Sequence, residues 1–99
     1  MGDRRMAEIK VKDGSLFVYT HNYGAEFPAM AEAALDSARC RLGDDCYALR
    51  IVIDQLTRPG RDQELDFGLM LTPNAEDEYN NDQPSIIIDL TKGTVVILK

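Results

Sequence analysis

Apolar and polar residues alternate singly near the start of the chain, and the period then lengthens. Residues 7–20, AEIKVK–DG–SLFVYT, alternate on both sides of Asp13-Gly14, a dipeptide suited to a two-residue hairpin turn. A turn at that dipeptide places Val11 opposite Leu16 and Ile9 opposite Val18. One face then holds Ile9, Val11, Leu16 and Val18, and the other holds Glu8, Lys10, Lys12, Phe17 and Tyr19. In 28–42, PAMAEAALDSARCRL, the apolar residues Met30, Ala31, Ala34, Leu35, Ala38 and Leu42 recur at three- and four-residue steps, which predicts a helix. Pro28 suits its first position, and Gly43 suits a left-handed stop just beyond its end.

Segment 46–57, CYALRIVIDQLT, supports two periods. As a helix it carries a stripe of Ala48, Leu49, Val52, Ile53 and Leu56, with Asp44 or Asp45 as the cap. As a strand it alternates Leu49, Ile51 and Ile53 with Arg50, Val52 and Asp54. The β-branched run Ile51-Val52-Ile53 loses side-chain freedom in a helix, so a strand is the expected state. A turn at Arg58-Pro59-Gly60-Arg61 and an alternating run, with Leu65, Phe67, Leu69 and Leu71 on one face, complete a second hairpin. After an acidic, polar connection, 85–99 reads as a third hairpin, SIIIDL–TKG–TVVILK, with Gly93 at a left-handed loop position. Pairing Leu90 with Thr94 puts Ile86, Ile88, Leu90, Val96 and Leu98 on one face. Ile87, Asp89, Val95 and Ile97 take the other.

The order ββαββββ predicts one α+β domain over residues 1–99. It comprises an antiparallel or mixed sheet of about six strands with one main helix packed on one face. Residues 1–6 are expected to fray, and 74–84 to form an acidic loop. A single helix cannot cover both faces of such a sheet. Phe17, Tyr19, Ile87, Val95 and Ile97 all point away from it in this register, and large exposed apolar patches mark interfaces. These five residues are the expected binding surface, for a second copy forming a homodimer or for another protein.

Charge and chemistry narrow the functional classes further. Among 99 residues, 17 acidic against 11 basic side chains leave a net charge of −6, which disfavours direct contact with nucleic acid or an anionic membrane. No apolar run reaches the roughly 18 residues of a membrane helix, and the first residues lack the apolar core of a signal peptide; a cytoplasmic protein is expected. Cys40, Cys46 and the single histidine, His21, are too few and too widely spaced for a zinc site. The acidic loop lacks the spacing and the glycine of a calcium loop, and no phosphate-binding glycine motif is present. No metal, cofactor or catalytic residue is therefore expected, and the chain reads as a self-associating or partner-binding module rather than an enzyme. Two alternatives differ in class. Glu76, Asp77, Glu78 and Asp82 could imitate phosphates, making the protein an acidic inhibitor or nucleic-acid mimic that fills a basic site on another protein. A small enzyme would centre on His21 and Tyr23.

Overall fold

A computed structural model of the chain describes residues 3–72 and 84–98. The first alternating segment forms a hairpin of β1 (Arg5–Val11) and β2 (Gly14–Thr20). Its register pairs Ile9 with Leu16 and Ala7 with Val18, so the turn falls at Lys12-Asp13 rather than at Asp13-Gly14. That register differs from the expected one by two residues, the period of a strand, so every side chain keeps its face. β1 begins within the segment expected to fray, and Met6 is fully buried. The residues before it are tied down: Asp3 accepts hydrogen bonds from the N–H groups of Gly24, through its carbonyl, and Ala25, through its carboxylate. A Cβ on Gly24 would lie 2.6 Å from the Asp3 carbonyl oxygen, so this close approach requires glycine.

The predicted helix is α1 (Phe27–Ala38), extended by a 3-10 turn at Arg39–Arg41 and followed by Gly43 at φ +95°. A second helix, α2 (Asp45–Thr57), stands where a strand was expected. Its buried residues are Ala48, Val52 and Leu56, one stripe at four-residue steps, with Leu49, Ile51 and Ile53 packed at its margins. The helix penalty of a β-branched residue is only a few tenths of a kcal/mol, whereas burying one Val or Leu side chain contributes about 1.5–3 kcal/mol. Packing against α1 and the sheet therefore decides the segment's state. The central hairpin is absent, and β3 (Phe67–Met70) pairs with β2 instead.

With β4 (Ile86–Asp89) and β5 (Thr94–Ile97), the sheet has five strands in the order β3-β2-β1-β4-β5. Only β1 and β4 run parallel. The α+β class and the mixed sheet stand as expected, with one strand fewer and one helix more. Both helices lie on the face presented by Ala7, Ile9, Val18, Ile86 and Ile88, which join Phe27, Ala34, Leu35, Val52 and Leu56 in the main core.

The last hairpin departs from the expected register by one residue. Asp89, not Leu90, pairs with Thr94, leaving a four-residue loop. One Asp89 carboxylate oxygen accepts the N–H groups of Thr91 and Lys92 and the Thr91 hydroxyl, while the Gly93 N–H donates to the Asp89 carbonyl. This side-chain-capped turn lengthens the loop. A shift of one residue turns β5 over: Val95 and Ile97 sit on the helix side with Ile86 and Ile88, and Val96 lies beside Ile87 on the opposite face.

The Thr91 hydroxyl holds the Asp89 carboxyl below the ordinary carboxylate range, helped by the Lys92 and Thr91 N–H groups and opposed by burial. A carboxyl depressed in the folded state adds stability above its unfolded pKa of about 4, and that stability is lost as pH falls through the folded value. Asp89→Asn keeps an acceptor oxygen but not the charge. It should cost about 1–2 kcal/mol at pH 7. The deficit should shrink on titration into the acid range, as read from urea midpoints. An equal deficit at both pH values would mean that the charge plays no part.

Candidate interaction surface

β5 is the last strand on its side of the sheet, and among the described residues no strand pairs with its outer margin. The Leu98 N–H donates to the Ser85 carbonyl at 2.6 Å, which marks Ser85–Leu98 as a hydrogen-bonded pair. Bonded and non-bonded pairs alternate in an antiparallel ladder, so Ile87–Val96 and Asp89–Thr94 are bonded too. Val95 and Ile97 occupy the intervening positions. Their main-chain N–H and C=O groups therefore point away from β4, toward the free margin.

The side chains at this margin are apolar and open to water. Val96 is 44% exposed, Ile97 39% and Leu98 43%, while Val95 is half-buried. Edge strands are ordinarily blunted by charge, proline or a bulge. The run Thr94 to Leu98 contains neither charge nor proline, and its ladder with β4 pairs residue for residue without a bulge. The helices stop short of covering it, since Ile97 is on their side of the sheet and still exposed.

The five residues expected to form one binding face are divided between two. Phe17 and Tyr19 lie opposite the helices, as expected, but both are buried, with Met6, in a small second cluster against which Met70 packs. Ile87 is on that face and half-buried. Val95 and Ile97 are on the other face, for the register reason given above. Val96 and Leu98, assigned by the sequence reading to the covered face, are exposed, as is Ile97. The signal that marks them is the uncharged run TVVIL, which acquires meaning only once β5 is known to be an edge.

The opposite margin, β3, also exposes leucines, with Leu69 in the strand and Leu65 and Leu71 flanking it. Leu69 borders a hollow of about 210 Å³ lined also by Thr57, Gly60, Arg61, Gln63 and Phe67. Gly68 interrupts that edge, and Asp62, Glu64 and Asp66 crowd its approach, so it is a poorer template for a further strand.

Other candidate chemistry resolves into structural ties. His21 is exposed, with its Nδ1 3.3 Å from the Tyr19 hydroxyl. Asp66, the nearby carboxylate, accepts instead from the Asn22 side-chain amide at 2.8 Å, and the Tyr23 ring stacks on Phe67 with centroids 5.2 Å apart. These contacts fasten the end of β2 to the start of β3. Arg5, beside a pocket of about 370 Å³, donates from Nε to the Ser85 hydroxyl at 2.8 Å and from Nη1 to the Gly24 carbonyl. Cys40 and Cys46 are exposed free thiols near the corner between the helices. Among the described residues no group of three or more His, Cys, Asp or Glu side chains could hold a metal ion, and no helix is long and apolar enough to cross a membrane. Glu76, Asp77, Glu78 and Asp82 lie outside the described residues.

No protein-family model, curated protein or solved structure matches this chain.

Proposed function

We propose that the protein is a self-associating or partner-binding module that works by strand addition at the β5 margin. The carrying observation is an edge strand whose outward main-chain groups, at Val95 and Ile97, are framed by exposed Val96, Ile97 and Leu98 and by no charge. In this mode main-chain hydrogen bonds supply affinity, and alternate side chains supply specificity. The reading keeps Val95 and Ile97 as binding residues but moves the surface from the second sheet face to the sheet's edge.

Proline tests this directly, because an edge strand tolerates it where the N–H faces outward. Val95→Pro removes one outward donor while leaving the ladder with β4 intact. It is expected to weaken any complex of this chain, whether with itself or with another protein, at least about tenfold, the equivalent of one net hydrogen bond near 1.4 kcal/mol. Ile97→Asp should do the same by placing a carboxylate at the margin. Far-UV circular dichroism should be unchanged in both. A complex that survives both substitutions at full affinity uses some other surface, and strand addition at β5 is then wrong.

A further inference from the structure

We infer that the strand completing the β5 margin is β5 of a second copy, running antiparallel about a two-fold axis at Val96. This rests on the strand-addition reading above and adds the occupant and its register. Only residues whose main-chain groups point outward can pair across the new junction, which limits the choice to Val95 and Ile97. Pairing Val95 of each copy with Ile97 of the other satisfies both at once. Val96 then meets its own copy at a non-hydrogen-bonded position on the axis, and Thr94 faces Leu98.

Two observations favour a second copy over a foreign strand. First, the run Thr94 to Leu98 is self-complementary in this register: Val95, Val96 and Ile97 meet apolar residues, only Thr94 faces Leu98, and no charged residue opposes its own copy, so the usual penalty for like charges facing each other is absent. Second, each face stays consistent across the junction. Val95 and Ile97 of both copies lie on the helix side, continuing the apolar layer built by Ile86 and Ile88, while Val96 and Leu98 of both copies share the other side. The net charge of −6 on each copy opposes association as a long-range term, and a seam without carboxylates adds no short-range repulsion to it. The product is one continuous ten-stranded sheet with β3 at both outer margins. A strand this short gives an interface at the small end of the known range, so association is expected between about 10 µM and 1 mM.

Added salt screens the mutual repulsion of two acidic copies, so self-association should strengthen with ionic strength. Capture of a basic partner by acidic side chains would weaken under the same change.

Cysteine cross-linking reads the register. Non-hydrogen-bonded antiparallel pairs have Cα atoms about 4.5 Å apart, within the reach of a disulfide. In a Cys40→Ser/Cys46→Ser background, Val96→Cys should form a disulfide-linked dimer under mild oxidation. Tyr47→Cys, an exposed control away from the margin, should cross-link at least about tenfold more slowly. Adding Val95→Pro to Val96→Cys should reduce its rate to that of the control. Light scattering on the unmodified protein should show a concentration-dependent dimer that tightens with salt.

The outcomes separate the two claims. A protein that stays monomeric throughout the concentration range, with Val96→Cys no faster than Tyr47→Cys, overturns the second copy. Strand addition would still stand if Val95→Pro abolishes another complex. A dimer that Val95→Pro dissolves but Val96→Cys does not trap overturns the register. A dimer indifferent to Val95→Pro overturns both.

Discussion

Val52→Asp is expected to abolish the cooperative fold. In α2, Val52 is fully buried between Ala48 and Leu56 and belongs to the same core as α1 and the central strands. A carboxylate there has no cationic partner within the core, and burying an unpaired charge costs several kcal/mol or forces the group to take a proton. The loss should exceed about 4 kcal/mol, most of the 5–15 kcal/mol available to a small domain. Arg50→Asp, two residues earlier on an exposed position of the same helix, should change stability by no more than about 0.5 kcal/mol. The pair discriminates sharply between conformations. Had 46–57 been the strand its β-branched run suggested, Val52 and Arg50 would share one face, and the two substitutions would have comparable effects. Thermal melts followed by far-UV circular dichroism decide it, and a Val52→Asp protein melting near the wild-type temperature would exclude the helical packing.

Phe27→Ala should be the most damaging simple truncation, at about 3–5 kcal/mol. Phe27 opens α1 fully buried, and its ring centroid lies 6.3 Å from that of Phe67 in β3, which stacks on Tyr23 in turn. Removing the ring leaves a cavity where the helix, the β2–α1 connection and an edge strand meet. The urea midpoint should fall, and the near-ultraviolet dichroism of the tyrosines should weaken with it. A loss below about 1 kcal/mol would show that the site collapses around the missing ring and that Phe27 does not hold β3 in place.

These two residues also show why parts of the fold were hidden. Phe27 stands outside the apolar period of α1 as read from the sequence, where it serves only as the extended residue before Pro28. Its burial comes from the main core that it joins, with Phe67, 40 positions later in the chain, packed near its ring. Val52 shares its segment with residues that satisfy a period of two nearly as well as a period of 3.6. Local propensity favours the strand by tenths of a kcal/mol per residue, and contacts with α1 reverse that preference. The candidate site was half legible for a similar reason. Val95 and Ile97 stand out in the sequence, since an apolar run on both faces of a final strand is excessive for a sheet with one wet side. The surface they belong to could not be read, because it depends on the turn at Asp89 and on which strand ends the sheet.

What the sequence determined by itself is whatever repeats over a few residues. This includes the first hairpin and both of its faces, preserved even under a two-residue change of register, and the helix predicted over 28–42, found at Phe27–Ala38 with a 3-10 turn before Gly43. It also includes the acidic balance, 17 acidic against 11 basic side chains. What only the tertiary structure decided is the state of 46–57, the facing of β5, and the strand order that makes β5 an edge through the parallel pairing of β1 with β4, some 80 positions apart in the chain. The physical reason is that period and turn chemistry act on neighbours in sequence, whereas burial and strand pairing are settled between segments that meet only when the chain is folded.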